Sequence, residues 1–511
     1  MDKNEVEHLE NAQRDPVADY LKNPAIYRVD ADDAAFVLIT PEAEKALLRK
    51  IDRWIIPFLG MSYAWQYVDK TTLSYAALFG IREDTHLKGT EYSWLSALFY
   101  FGYMFAEYPT NYFLQRFPVG KYLGVNVVLW GGTLMCLAAC HNFITLAVVR
   151  VILGAFEACA TPSFMLLTGM FYRRREQPVR IGLWYTCNGV AIAFGGLFAY
   201  AIGHIHGSLA SWRYLFLIIG GITVLWGIIL ILFLADSPMK AKWLTPEERA
   251  LAVARLAEEN LGVENKEFKM YQLKEAITDP KTYLFFLFAL SSNIPNGGLS
   301  NFGSLIIKGF GYSTLVTTLL QIPYGTGIAL AIVSCVYIND RLLPPNSRCW
   351  IMVAYLIPNV AGSLGLYLIP QEHKVPLLIC YYLTGFYNAT FVVGLSFITG
   401  NVAGHTKKVI VQAFLFVGYS VGNIAGPFFY KTSQAPKYTM GIISMLVSYC
   451  LEIVVILCLR FVFGRENAKK DRAMRHFEPG TKEAIEQEED RARMVLNDET
   501  DLKNPYFRYV M

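Results

Sequence analysis

Apolar runs of about 20 residues recur along the whole chain, separated by short charged patches, and about 20 apolar residues make a helix long enough to cross a hydrocarbon layer. The runs predict spans near 53–79, 92–112, 122–140, 143–171, 180–203, 213–234, 282–307, 313–338, 350–369, 375–400, 408–430 and 438–463. The stretch from Asp236 to Lys281 departs from this pattern. Its "TPEERALAVARLAEEN" has Thr245 as N-cap, Pro246 at the first helical position and Glu248 three residues after the cap. That is a capping box at the head of an amphipathic surface helix. A polar linker thus divides twelve spans into six and six. The expected fold class is an all-α polytopic membrane protein of two six-helix pseudo-repeats. Its parts are a tail over 1–50, a bundle over 51–235, the linker over 236–281, a bundle over 282–463 and a tail over 464–511.

Composition fits a bilayer: 54% of the 511 residues are hydrophobic and only 17% charged, against about 25% charged in an ordinary soluble domain. The net charge of +4 matters less than its placement. Lys and Arg gather in alternate loops: Arg116 and Lys121, "YRRREQPVR", Arg341 and Arg348, Lys407 and Lys408. The other loops, "CHNF", "HIHGSLASW" and "PQEHKV", are short or mixed. By the positive-inside rule both termini and the linker are expected in the cytoplasm, with the plasma membrane as the expected location. The opening "MDKNEVEHLENAQRDP" is polar and acidic, so no cleavable signal peptide is expected. No basic patch interleaved with aromatics points to nucleic acid. The nine cysteines lie almost wholly in apolar runs without a CxxC pair, so packing is their expected role and no metal or cofactor is expected. No nucleophile or His/Asp cluster points to an enzyme.

The charges inside the spans are the candidate chemistry. A charge at mid-bilayer costs roughly 2.5–3.5 kcal/mol on insertion scales, and such residues mark transport pathways. Span 1 carries Asp69 and Lys70 within "YAWQYVDKTTLSYAALFG"; span 4 carries Arg150 and Glu157 within "VVRVILGAFEA". Seven residues are two helical turns, so the span-4 pair shares nearly one face, about 10 Å apart. Two acids and two bases sum to zero, with each base expected to be satisfied internally while both acids are ionised. Protonating an acid frees a base for a substrate carboxylate, and that coupling makes Asp69 and Glu157 the expected proton carriers and Lys70 and Arg150 the expected anion contacts. A static pair of bridges between spans 1 and 4 is the structural alternative.

In span 7, "SSNIPNGGLSNFG" is expected to break the helix at Pro295, Gly297 and Gly298, lining the pathway with Asn296 and bending as a gate. Asn388 in span 10 occupies the repeat position of span 4, and Gln321 in span 8 is a further polar candidate. The halves echo each other after their second spans, in "YFLQRFPVGK" and "YINDRLLPPNSR". Six-span repeats with a site at their interface are a transporter architecture.

These residues resemble the major facilitator superfamily, whose loop 2–3 signature G-x-x-x-D-R-x-G-R-R survives here in degenerate form. Asn111 stands for the Gly and Gln115 for the Asp, Arg116 is kept, and Pro118-Val119 precede Gly120-Lys121. "SNIPNGGLSNFGSLIIKGFGYS", "GNVAGHTKK", "GYSVGNIAGPFFY" and "NPYFRYVM" are similar to the fungal allantoate permease branch of the anion:cation symporters. The resemblance implies proton-coupled uptake of a small organic anion: a ureido acid, dipeptide, sulfur amino acid or vitamin carboxylate. It implies that Tyr103 matches a span-2 tyrosine contacting substrate, and that Gln115, Arg116 and Lys121 face Asp340 and Arg341 in a latch holding the outward-facing state. Span 5 lacks the Gly-Pro pair typical of antiporters, which favours import. Export of an endogenous organic acid, or a nutrient sensor of transporter fold, are the alternatives, and the expected transport unit is a monomer.

Overall fold

The computed structural model describes residues 26–28, 36–38, 41–173, 176–260, 268–344, 346–474, 494 and 498–511. Residues 1–25 of the first tail, Arg174 and Arg175 of the basic loop, and 475–493 of the last tail lie outside them. Twelve helical spans follow one another. The first six are Pro41–Leu78, Glu91–Leu114, Val119–Leu137, Phe143–Phe171, Gln177–Gly203 and Ser211–Phe233. The second six are Pro280–Gly309, Thr314–Leu342, Arg348–Leu368, Lys374–Ile398, His405–Phe429 and Thr439–Ala473. Span 1 begins ten residues before the expected bundle boundary, and span 12 runs ten residues past it. A three-residue antiparallel pair, Ile26–Arg28 with Phe36–Leu38, is the one departure from an all-helical chain among the described residues.

By length and apolarity alone, eight of these helices can cross a membrane among the described residues. Spans 1, 2, 3 and 7 are less apolar because they carry polar groups inward: Gln66, Asp69, Thr71 and Thr72 in span 1, and Ser291, Ser292, Asn293 and Asn296 in span 7 are buried. Phe105, Ile144, Val148, Leu225, Leu232 and Phe461 point outward, which suits lipid and would not suit water. Helices satisfy their own backbone groups, so this inside-out distribution is stable in hydrocarbon.

The bundles meet where span 5 packs on span 8, span 1 on span 7 and span 2 on span 11. On the face away from the linker they are tied together: the Tyr92 hydroxyl donates to the Asn301 carbonyl at 2.8 Å and Ser93 Oγ to the Pro427 carbonyl at 3.1 Å. On the linker face each half of the linker belongs to a different bundle. In the first linker helix, Pro246–Asn260, the capping box closes reciprocally between Thr245 and Glu248. Glu248 then reaches Lys50 at 2.6 Å, and Arg255 joins Glu44 at 3.2 Å and Glu176 at 2.6 Å. The second linker helix, Met270–Thr278, docks on the other bundle through Glu275 and Lys407 at 2.8 Å.

Residues 498–511, expected as part of a solvated tail, instead fold back on the second bundle. Asp501 is buried between Lys281 at 2.7 Å and Lys407 at 2.8 Å, and accepts from the Tyr509 hydroxyl at 2.6 Å. Val510 and Asn401 exchange hydrogen bonds of 2.7 and 2.9 Å, and Tyr509 stacks on Phe463 of span 12 at 4.8 Å. Burial pushes the Asp501 carboxyl up, but Lys281 and Lys407 outweigh it and hold it below its ordinary value of 3.8. A depressed carboxyl contributes stability that is full above that ordinary value and lost as pH falls through the lower folded one. Asp501→Asn should therefore destabilise the solubilised protein at neutral pH by about 3 kcal/mol. That is the low end for breaking a buried pair, since Asp279 and Glu275 remain with the lysines. A thermal melt checks this; the gap between wild type and variant should close in strong acid.

Candidate functional site

Spans 2 and 4 approach so closely that a Cβ on Gly154 would enter the Phe99 carbonyl oxygen, and one on Gly102 the Val151 carbonyl. These glycines press the span-4 charges against spans 1 and 2. Span 4 then interrupts its helix directly after Glu157 and resumes at Ala160. Lys70 Nζ lies 3.4 Å from Glu157 Oε1, with the Glu157 side chain buried and that of Lys70 9% exposed. The ammonium also sits 5.9 Å from the Tyr67 ring centroid and 5.8 Å from that of Tyr103.

The other two charges are arranged differently from the expected internal pairing. Adjacent residues on a helix point about 100° apart, so Asp69 turns away from Lys70 and accepts from the Trp130 indole of span 3. Arg150 is 3% exposed and lies 5.8 Å from the Phe99 ring centroid. Among the described residues no carboxylate stands within ion-pair distance of it. The expectation that both bases are satisfied internally is thereby corrected: Lys70 has an acid at contact, whereas Arg150 touches an aromatic face and feels Glu157 and Asp69 only from beyond ion-pair distance.

Buried polar atoms without hydrogen bonds crowd this region: both oxygens of Glu157, Oδ1 of Asp69, Nε of Arg150, and both amide atoms of Gln66. Buried polar groups are normally paired, and exceptions call for an explanation. Here they surround a place where a polar guest would be satisfied. Tyr103 closes one side, its hydroxyl 3.4 Å from Thr161 Oγ1 and its ring stacked on Phe416 of span 11 at 5.7 Å.

Across the bundle interface the lining is neutral. A cavity of about 30 Å³ is lined by Tyr67, Asn296, Gln321, Tyr387 and Asn388 among others. The Tyr67 and Tyr387 hydroxyls both donate to Asn296 Oδ1, at 2.9 and 3.0 Å, while Asn296 Nδ2 donates to Asn423 at 2.8 Å. Asn188 donates to Asn388 Oδ1 at 3.2 Å. The structure thus brings Asn296, Gln321 and Asn388 to one cavity and Lys70, Arg150, Glu157 and Tyr103 to another cluster, with Tyr67 between them. The cavity holds a few waters at most in this conformation, so a substrate requires the bundles to part.

Two further expectations change. Span 7 does not break at Pro295; the helix runs unbroken from Pro280 to Gly309. The proline costs one backbone hydrogen bond and a ring clash with the preceding turn, which the surrounding packing absorbs; Gly297 and Gly298 serve close packing, against the Asn423 backbone and the Tyr430 ring. The latch groups are not brought together. Arg341 pairs with its neighbour Asp340 at 3.4 Å with both exposed, Arg116 stacks 4.8 Å over Tyr112, Gln115 is exposed, and the Lys121 backbone donates to Asp236. The bundles are thus tied on the far face, while these linker-face groups do not join them. Sequence reading missed Gln66, Tyr67, Trp130 and Asn423. Gln66 carries no charge to set it apart in the sequence, and the others depend on how helices rotate against one another.

Two helical bundles joined by a linker, with ionisable groups buried at mid-depth and a polar cavity on their interface, define a polytopic membrane transporter. The Major Facilitator Superfamily model matches residues 59–427, and the chain belongs to that family. It is 38% identical over 487 residues to an uncharacterized transporter of Schizosaccharomyces pombe, covering 95% of this chain and 89% of the other. It is 34% identical to the allantoate permease of Saccharomyces cerevisiae (94% and 89% covered) and 33% identical to the thiamine pathway transporter THI73 of that organism (92% and 87%). Among solved structures, the xylose transporter XylE of E. coli superposes with a TM-score of 0.58 at 14% identity, covering 79% of this chain and 97% of that one. A bacterial homolog of the human lysosomal transporter Spinster gives 0.56 at 15%, covering 83% and 97%. These two speak for the fold alone.

Proposed function

We propose that the chain is a proton-coupled importer of a small organic anion, working by alternating access between its two bundles. The observation that carries this reading is Arg150, a buried guanidinium with no carboxylate at ion-pair distance among the described residues, beside the Lys70–Glu157 pair. An uncompensated buried cation is costly unless a partner arrives, and a substrate carboxylate is such a partner. A proton on Glu157 releases Lys70 to the same anion, so proton and anion favour each other's binding; reciprocal coupling of this kind is what symport requires. Asp69, held by Trp130, is the second candidate proton carrier. Tyr103 and Tyr67 wall the anion site, and Asn296, Gln321 and Asn388 supply neutral hydrogen-bonding groups to the rest of the molecule. The name of one relative, an allantoate permease, fits this chemistry. The ureido acid, dipeptide, sulfur amino acid and vitamin carboxylate classes are the candidates, and the transport unit is one chain in the plasma membrane with its termini in the cytoplasm.

The test is an uptake screen over these four classes, in cells overexpressing the chain, with each acid paired against its neutral ester. One free acid should accumulate faster at acidic external pH, and its ester should compete at least tenfold more weakly, since a charge-assisted contact contributes roughly tenfold or more in affinity. Accumulation of neutral or cationic solutes alone, or an ester competing as well as its acid, overturns the anion reading.

A further inference from the structure

Gln66 occupies a place that neither the charges nor the neutral cavity explains. It is 1% exposed in the middle of span 1, one turn before Lys70, so its side chain shares the face that looks toward span 4. Both its Oε1 and its Nε2 are buried without a hydrogen bond, and so are both oxygens of the Glu157 carboxyl it faces. A primary amide carries both a donor and an acceptor. Its Nε2–H suits a carboxylate, and its Oε1 suits the O–H of a carboxylic acid. Tyrosine hydroxyls can also do both, but among the described residues around Glu157 the side chains that come close enough to act on the carboxyl directly are Gln66 and Lys70. Lys70 and Arg150 only donate; Asp69 lies on span 1 beside Lys70, Cys159 follows on span 4, Tyr67 stands on span 1, Tyr100 and Tyr103 on span 2, and Tyr419 reaches the site from span 11.

We infer that Gln66 is a positioning residue for the coupling carboxyl, a two-way amide that holds Glu157 in place whether or not it carries the proton. When Glu157 is ionised, Nε2 donates to it together with Lys70. When Glu157 takes a proton and Lys70 swings to the substrate anion, rotation of the amide presents Oε1 to the new O–H. The amide neither gains nor loses a proton. It keeps the carboxyl from seeking another partner during the step in which Lys70 leaves. This inference rests on the proposed role of Glu157.

Gln66→Met keeps length and apolar volume and removes both hydrogen-bonding atoms. In whole cells its pH-driven uptake should fall roughly tenfold, mainly in the maximal rate, with KM for the acid changed by less than about threefold. The pH profile should move upward by about one unit, because a hydrogen bond to the charged form is stronger than one to the neutral form. Added to Glu157→Gln, where no proton comes or goes, Gln66→Met should lower substrate exchange no further. A purely structural role would instead lower exchange in both backgrounds and leave the pH profile where it was, and that result overturns the inference. So does an unaltered rate and profile in Gln66→Met at normal surface level. If Glu157→Gln itself leaves pH-driven accumulation intact, the underlying reading of Glu157 fails; if it abolishes accumulation while Gln66→Met is silent, only the role of Gln66 fails.

Discussion

Glu157→Gln should leave a carrier that exchanges substrate across the membrane but no longer accumulates it on a pH gradient. The amide has the shape of a protonated carboxyl and cannot release a proton. Lys70, 3.4 Å away in the native protein, would stand permanently free for the anion, as it does in the loaded state. Exchange needs only the loaded carrier to reorient in both directions, whereas net uptake needs the empty carrier to return. The empty variant would carry two buried cations, Lys70 and Arg150, against the single acid Asp69, and that uncompensated charge should hold it back. Counterflow of labelled substrate should therefore persist while acid-driven accumulation falls to background, a loss of roughly a hundredfold or more. Accumulation that follows the pH gradient as before would make Glu157 a brace between spans 1 and 4.

Arg150→Gln should act on the other side of the coupling and raise KM roughly tenfold to a hundredfold, the equivalent of losing one charge-assisted hydrogen bond worth about 1.5–3 kcal/mol. It is a cleaner probe than Lys70→Gln, which would also leave Glu157 buried without its cation. Removing Arg150 orphans no acid among the described residues, so folding and surface level should hold. Arg150→Lys should be intermediate, because a point charge on a flexible stem does not reproduce a planar fork over the Phe99 ring. Competition by the neutral ester should be insensitive to both changes, since it offers no carboxylate to Arg150. Equal losses for acid and ester would mean that Arg150 shapes the bundle and does not read charge.

What was legible in the sequence follows from what a bilayer forbids. Lys70, Arg150 and Glu157 stand out because charge is expensive in an apolar run, and the structure places all three together at mid-depth. The twelve spans are legible for the same reason. The partner of Asp69 was not: helix geometry turns the carboxylate away from Lys70, but that Trp130 meets it depends on the rotation of span 3. Pro295 misled because local propensity argues for a break, while the helix stays continuous, with Gly297 and Gly298 packed on span 11 and the residue that follows it. Asp501 was hidden by its surroundings: a charged stretch reads as solvated, and its partner Lys281 lies 220 positions away. Gln66 carries no charge, so nothing in a one-dimensional reading separated it from any other polar residue in a helix.

The divided linker sets a limit on the motion itself. Glu248 and Arg255 fasten the first linker helix to one bundle, while Glu275 fastens the second to the other. Between Asn260 and Phe268 only eight Cα-to-Cα steps join the two anchors. Whatever route those residues take, covalent geometry stretches them to no more than about 29 Å. The bundles are therefore leashed at their linker face. While both linker helices stay fastened, the distance their ends can move apart is capped by a short tether, independently of any contact at the substrate site.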